Sequence, residues 1–230
     1  MTEMKEKLQK LPVHVSIIMD GNGRWARERG KERVFGHMEG VGSVRAVTEA
    51  CVEWGIPYLS LFAFSEENWG RPQDEVDALM SLMAKSMREE LETLQRNGVR
   101  FLVLGNRARL SESLARGIGE LEELTRDNKR LTMILFLSYS GKWDIQQAAD
   151  RRAAEGGSSI EPYLVTAGFP DPDLIIRTSG EKRISNYLLW QAAYSEFVFT
   201  DTLWPDFRKD SLLAALEEFA SRDRRYGKVK

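Results

Sequence analysis

Short apolar runs recur along the chain and alternate with stretches whose apolar residues return at helical spacing. Residues 13–19, 58–64, 99–104, 131–137, 173–177 and 196–199 are rich in Val, Ile, Leu and Phe and read as strands. They are continuous runs rather than strict alternations, the pattern of strands covered on both faces. Between them, residues 38–54, 74–97, 111–127, 143–154 and 186–194 carry helical periodicity, and 210–222 forms a last helix. Strands separated by helices predict an α/β fold: a central, mainly parallel sheet flanked by helices. With no internal repeat, residues 1–230 are expected to form one domain.

The clearest helix is 74–97. Its apolar residues Val76, Leu79, Met80, Met83, Met87, Leu91 and Leu94 fall on one stripe, and Asn97-Gly98 supplies the stop. The stripe either packs on the sheet or uses its three methionines to line an adaptable apolar cavity. Residues 153–172, with Gly156-Gly157-Ser158-Ser159 and three prolines, read as a surface connection inside the domain.

Composition narrows the function. At 42% hydrophobic and 30% charged residues the chain can build a sizeable core. Its 33 Lys+Arg against 35 Asp+Glu leave a net charge of −2, which argues against a nucleic-acid partner held by a positive field. One cysteine, Cys51, allows no intrachain disulfide, and with two histidines leaves too few ligands for a structural zinc. Cys51 falls in a helical stretch and is expected to be a buried, reduced thiol. No run reaches transmembrane length, and the charged start MTEMKEKLQK is no signal peptide, so a cytoplasmic protein is expected.

Candidate chemistry gathers where strands end. The first strand runs into Asp20-Gly21-Asn22-Gly23-Arg24-Trp25-Ala26. Ligands of open α/β sheets bind at the carboxyl ends of strands. Glycines there admit an anion close to the backbone, and a following helix turns unpaired N–H groups towards it. Arg24, Arg27, Arg29, Lys31 and Arg33 crowd the same turn, as in a phosphate or diphosphate cradle. The spacing Gly21-x-Gly23-x-x-Ala26 only loosely fits a dinucleotide fingerprint: the next strand starts near Tyr58, too late, and Glu39 lies within a helix. No Gly-Lys-Ser/Thr follows, so a Walker loop is excluded. Asp20 beside an anion cradle either caps a helix or binds Mg2+ bridged to phosphate oxygens. The second strand leads into Ser65-Glu66-Glu67-Asn68-Trp69-Gly70-Arg71-Pro72. The fifth leads into Thr178-Ser179-Gly180-Glu181-Lys182-Arg183-Ile184-Ser185-Asn186, where Arg177, Arg183 and Ser185 could grip a second diphosphate.

These blocks together resemble a bacterial cis-prenyltransferase of the undecaprenyl diphosphate synthase type. The resemblance spans nearly the whole chain and rests on MDGNGRWA at 19–26, FSEENWGRP at 64–72, IRTSGEKRISNYLLWQ at 176–191 and AYSEFVFTDTLWPDF at 193–207, with Arg224-Arg225-Tyr226-Gly227 near the end. It implies condensation of isopentenyl diphosphate onto an allylic diphosphate, such as farnesyl diphosphate, with new cis double bonds. It further implies a long product near C55 for a cell-wall lipid carrier, an apolar product tunnel, a homodimer, and peripheral membrane contact for product release. By the same match Asp20 is the catalytic carboxylate, and Gly21, Asn22, Gly23, Arg24, Trp25, Arg33 and His37 bind the allylic substrate. Asn68 takes the position associated with proton removal, flanked by Ser65, Glu66, Glu67, Trp69 and Arg71. Arg177, Arg183, Ile184 and Ser185 match the isopentenyl diphosphate site. Asp20 and Glu196 match the Mg2+ carboxylates, Glu196 from either subunit. Ala63 falls on the upper tunnel wall and Leu131 near its floor. A short-chain enzyme making C15–C35 products, or a non-catalytic partner subunit, are the alternatives. The chain departs from the family pattern at Ser138-Tyr139-Ser140-Gly141-Lys142, where Asn-Tyr-Gly-Gly-Arg is usual, and at Ser179 in place of Gly. Lys142 gives up a forked contact, and Ser140 and Ser179 are expected to restrict φ. The segment 151–169 also looks shorter than usual.

Overall fold

The computed structural model describes residues 10–223. The motif at 224–227 and most of the charged N-terminal segment lie outside the described residues. In chain order the principal elements are β1 (His14–Ile18), α1 (Asn22–Glu28), α2 (Arg33–Trp54), β2 (Tyr58–Ser65), α3 (Gln73–Asn97), β3 (Val99–Leu104), α4 (Glu112–Thr125), β4 (Leu131–Tyr139), α5 (Gly141–Glu155), β5 (Leu174–Arg177), β6 (Glu196–Phe199) and α6 (Lys209–Ala220). The strands form one six-stranded sheet ordered β3-β4-β2-β1-β5-β6, and every pairing is parallel. Parallel pairing puts the carboxyl ends of the strands on one rim, so the three expected loops meet there.

Side chains alternate between the two faces. Val15, Ile17, Leu59 and Leu61 enter the larger core with α2, α3, α4 and α6. Ile18, Ile134, Phe136 and Ile175 enter a smaller one around Tyr139 and Tyr187. That second face also holds a polar thread: His14 Nε2 bonds Ser60 Oγ (2.9 Å), Ser60 Oγ donates to Ser16 Oγ (2.8 Å), and Ser16 Oγ bonds the Tyr187 hydroxyl (2.9 Å). Each member is buried but satisfied, as such groups must be. Burial pushes His14 down to about 4, so it is neutral at physiological pH.

α3 buries Val76, Leu79, Met87 and Leu94, each contributing about 1.5–3 kcal/mol of apolar burial, and ends at Gly98 in the left-handed region (φ 65°). α4 covers the edge of the sheet. Thr125 Oγ1 accepts from Phe101 N (3.0 Å), Glu122 Oε1 accepts from Val103 N (2.8 Å), and Asn128 Nδ2 donates to Val99 O (2.9 Å), so β3 offers no open ladder there. Cys51 is fully buried, and burial pushes its thiol up to about 12, which removes it from nucleophilic chemistry.

The structure corrects one element outright. Residues 186–194 are not a helix but turns ending in a 3-10 segment, Gln191–Tyr194. Ser185, Asn186 and Leu188 have φ of 49°, 58° and 44°, which breaks any right-handed helix. α2 starts five residues earlier than periodicity suggests, at Arg33 rather than 38. The 153–172 connection is pinned by Asp144, whose Oδ1 accepts from Val165 N (2.9 Å).

Candidate active site

The centre of the rim is an ion pair. Asp20 follows β1, and Arg177, the last residue of β5, sends Nη2 to Asp20 Oδ2 at 2.7 Å. Asp20 Oδ1 accepts from Gly21 N (2.8 Å), and Thr178 Oγ1 donates to Asp20 O (2.6 Å). The Arg177 side chain is 5% exposed and that of Asp20 34%, so the carboxylate faces the opening while the guanidinium backs it. Arg177 Nη1 also donates to Arg183 O (2.5 Å) and Ser185 Oγ (2.7 Å), which ties the fifth-strand loop to the first. Gly21 makes this closeness possible: its φ is 107°, and a Cβ there would sit 2.9 Å from Ser179 Cβ. Gly36 does the same for α2, because a Cβ would meet Asn22 O at 2.0 Å.

Around this pair stand arginines bridged by carboxylates. Glu75 Oε1 lies 3.0 Å from Arg71 Nη1 and 3.4 Å from Arg33 Nη2. Glu181 holds Arg24 (2.9 Å) on one oxygen and Arg183 (2.5 Å) on the other, while Arg24 Nη1 donates to Ser179 O (2.8 Å). Neither Glu75 nor Glu181 was singled out by sequence, where both read as ordinary loop or helix-start acids. The available signal was acids interleaved among clustered arginines. His37 lines the same space. Burial, with the Arg71 guanidinium, opposed by Glu75 and joined by Arg33, pushes it down to about 4. Its Nε2 and the Asn22 Oδ1 are buried without a partner, two polar atoms available to a ligand.

The second-strand loop divides in two. Ser65 and Asn68 form a capping box: Asn68 Oδ1 accepts from Ser65 N (3.1 Å) and Ser65 Oγ from Asn68 N (3.3 Å). Asn68 and Arg71 line the opening, but Glu66 and Trp69 turn to Ser138. Ser138 Oγ donates to Glu66 Oε1 (2.6 Å) and accepts from Trp69 Nε1 (2.8 Å), and Arg109 lies over the Trp69 ring. Glu67 Oε1 accepts from Asn186 Nδ2 (2.6 Å). Trp25 bonds Asp206 (2.8 Å) beneath Arg29 and buttresses the first loop. Ile184 is half-buried and its carbonyl accepts from Tyr187 N, shaping the loop that carries Arg183. Of the departures, Ser138 (φ 51°) and Ser179 (φ 72°) do occupy left-handed backbone. Ser140 does not: it is extended at φ −147° and caps α5, accepting from Trp143 N (3.2 Å).

Glu196 lies elsewhere. It opens β6 in register with Leu174, itself paired with Val15, and bonds Arg222 (2.8 Å). At about 3.3 Å per residue that places it roughly 17 Å along the strand direction from Asp20. A single chain therefore does not join the two carboxylates.

The opening leads into a cavity of about 450 Å³ between the sheet and helices α2 and α3. Asp20, His37, Arg71, Arg177 and Arg183 line its mouth, and Val44, Ala63, Met83, Met87 and Leu135 line its body, down to Leu94 and Met133. The methionine stripe thus does both things: Met83 and Met87 wall the cavity, whereas Met80 packs on the core. Leu131 is not on the floor. It is buried one strand step below Met133, on the same face.

Among the described residues no three His, Cys, Asp or Glu side chains gather as a metal cage. Asp20, with the unpartnered Asn22 oxygen nearby, fits an oxygen-seeking Mg2+ that takes most of its ligands from water and substrate.

Comparison with known proteins agrees with this layout. The family described as "Putative undecaprenyl diphosphate synthase" matches residues 18–227. The isoprenyl transferase of Chlorobaculum tepidum is 48% identical, covering 99% of this chain and 91% of its own length. That of Chromobacterium violaceum is 49% identical, over 95% and 89%. The crystal structure of lavandulyl diphosphate synthase from Lavandula x intermedia, in complex with dimethylallyl diphosphate, superposes with a TM-score of 0.90 at 36% identity, over 97% of this chain and all of that one. A probable undecaprenyl diphosphate synthase from Campylobacter jejuni superposes with a TM-score of 0.81 at 33% identity, over 95% and 100%.

Proposed function

Because this chain belongs to the undecaprenyl diphosphate synthase family and is a cis-prenyl chain-elongating transferase, we propose that its cavity divides the reaction, diphosphate chemistry at the mouth and chain growth in the body. The observation that carries this reading is that Asp20, Arg177 and His37 line the same continuous space as Met83, Met87 and Leu135.

The allylic diphosphate binds to the Gly21–Arg24 backbone, Arg24, Arg33 and His37, displacing Glu75 from Arg33. The neutral imidazole of His37 donates or accepts one hydrogen bond and gains a proton more readily once the anion is beside it. Isopentenyl diphosphate binds to Arg183 and Ser185 in front of the buried Arg177, displacing Glu181 from Arg183. Asp20 holds Mg2+, which when bound offsets the charge growing on the leaving diphosphate. The allylic C–O bond breaks with its electron pair on the diphosphate. The π electrons of isopentenyl diphosphate then form the new C–C bond, and loss of a proton leaves the new double bond. Arginines aimed at the leaving oxygens are already in place and need no reorganisation as charge develops. Asn68 positions rather than accepts the proton: a neutral amide is a very weak base, and its oxygen already accepts from Ser65 N–H. The proton goes to a diphosphate oxygen.

The body of the cavity keeps water from the cation, and its small Ala63 lets a long chain pass, so the product is a polyprenyl diphosphate near C55 suited to carrying cell-wall intermediates. Glu196, too far from Asp20 in its own chain, acts at the metal only from a second copy. Phe199 at the β6 edge, with Trp190 and Tyr194 nearby in sequence, is exposed and suits a homodimer on that side. No helix among the described residues is long and apolar enough to cross a membrane; the membrane contact proposed here is a peripheral one, for product release. The test is incubation with farnesyl diphosphate, labelled isopentenyl diphosphate and Mg2+, with products sized by chromatography. Products near C55 support the reading, C15–C35 products select the short-chain alternative, and no elongation rejects it.

A further inference from the structure

Two features of the tunnel do not fit a long product. At about 30 Å³ for each small group, its 450 Å³ hold roughly 15 carbon atoms, near three isoprene units. Its floor at Met133 rests on buried Leu131, so little room lies straight below.

Room does lie to the side. A second cavity of about 250 Å³ runs between α3 and α4, lined by Ala84, Leu91, Leu114, Gly117 and Leu124. Met87 and Leu121 belong to the walls of both cavities, so a partition of two side chains separates them. Met87 is unbranched and turns about several bonds, which suits a door more than a wall. Arg88, Arg116 and Glu120 rim the groove while Leu124, 56% exposed, stays open to solvent.

Gly117 adds a second observation. It sits mid-helix with an ordinary φ, and a Cβ there would meet nothing within 4 Å among the described residues. Glycine weakens a helix, and neither backbone nor packing demands it at 117. It lines the groove and puts no side chain into it.

We propose that the α3–α4 groove is a second compartment for the product, entered by the apolar end of the growing isoprenoid when Met87 turns aside. The occupant is the product's own hydrocarbon tail. The groove is continuous with the tunnel across Met87 and Leu121, its inner walls are apolar, and the tunnel alone is too small. From it a finished chain reaches the surface tail first, towards an apolar phase. This rests on the chain-elongation reading above.

A crosslinking experiment separates the two. An octaprenyl diphosphate carrying a diazirine at its ω-end is bound to the intact protein, irradiated, and mapped by peptide mass spectrometry. Attachment to the α4 residues that line the groove alone, Leu114, Gly117 and Leu124, is expected. Attachment confined to tunnel-lining Met133, Leu94, Phe101 and Leu121, or no attachment, overturns the compartment whether or not the protein elongates. In turnover, Gly117→Leu fills the groove from an exposed position. It is expected to shorten the product by two or more isoprene units while the first condensation stays within two-fold of wild type. Gly119→Leu, on the same helix but outside the groove, is expected to change neither. Unchanged length in Gly117→Leu, or equal shortening in both, rejects the proposal. Absence of elongation in the wild type would instead reject the functional reading, and the crosslink would still decide the groove.

Discussion

The mouth and the body of the one cavity are built by opposite means. At the mouth, loops from different strands are locked by named atoms: Asp20 to Arg177, Arg24 to Ser179 and Glu181, Ser65 to Asn68. Several residues there hold backbone conformations L side chains rarely adopt, Ser179, Ser185 and Asn186 among them. In the body, side chains of α2, α3 and the sheet meet mainly through shape, with the Arg45–Glu90 ion pair between α2 and α3 at the side, and adaptable methionines stand where a chain must slide. A change at the mouth removes an atom from the chemistry; one in the body alters only a volume. The first should change rates, the second lengths.

The sharpest test of that division is Asp20. Asp20→Ala is expected to abolish product, a loss of about 10³-fold or more in kcat, and to leave Arg177 buried without its partner. Asp20→Asn leaves one acceptor oxygen, enough for the bond to Arg177 or the bond to Gly21 but not both, so it should keep the wild-type fold by circular dichroism and still fail. Full activity in either, or in excess chelator, would sink the assignment of Asp20 and Mg2+.

Next come the arginines. Each makes charge-assisted contacts worth about 1.5–3 kcal/mol, or roughly 10–100-fold in KM. Arg33→Ala should raise KM for the allylic substrate, and Arg183→Ala that for isopentenyl diphosphate. Steady-state kinetics in which both variants affect the same substrate would merge the two sites.

His37 links the mouth to stability. Its value falls from 6.5 to about 4 on folding, so between these pH values the unfolded chain holds a proton that the folded chain lacks. Stability is therefore present above 6.5 and lost as pH falls towards 4, by about 2 kcal/mol from this residue at pH 5. His14, lowered in the same way, adds a like amount. In urea titrations at pH 7 and pH 5, His37→Gln should lose about half as much stability as wild type. Equal losses would show that the imidazole is not buried neutral.

In the body, Ala63→Leu should shorten the product at about 1–2 kcal/mol of stability, with the first condensation hardly slowed. Met133→Ala should lengthen it. Leu131→Ala, behind Met133, should cost about 2–5 kcal/mol and lengthen it less. If Ala63→Leu changes kcat but not length on chromatography, body and mouth are not separate.

The smallest effect is expected at Ser179, whose φ of 72° favours glycine. Ser179→Gly should raise stability by about 1 kcal/mol, seen as a higher Tm, and leave product length alone. A lower Tm would mean that the serine is not strained.

Much of this division was legible in the residue order. Continuous apolar runs announced strands covered on both faces, and helical stripes between them announced parallel pairing, because parallel strands need crossovers. Parallel pairing in turn sets the loops after β1, β2 and β5 on one rim, so Asp20, Asn68 and Arg177 could be grouped before any contact was seen. The methionine stripe of α3 announced an adaptable wall. These are local or periodic properties, and periodicity survives in one dimension.

What depended on neighbours distant in sequence did not. Residues 186–194 have helical spacing, yet contacts of Tyr187 and Leu188 within the second core hold the backbone in left-handed turns that local propensity does not encode. Ser140 could be read as a strained replacement for glycine until the fold showed it extended, capping a helix. Glu75 and Glu181 each have an arginine close by in sequence, Arg71 and Arg183, but become bridges only through Arg33, 42 positions away, and Arg24, 157 positions away. Glu196 matched a metal ligand by motif, but the register of β6 carries it to the far end of the strands. Sequence alone thus determined all the strands, the long helices and the rim that collects the chemistry, because hydrophobic period and strand direction are properties of the chain itself. Tertiary structure alone decided which oxygen faces which guanidinium and where the cavity stops, because burial and charge pairing exist only once distant segments share the same space.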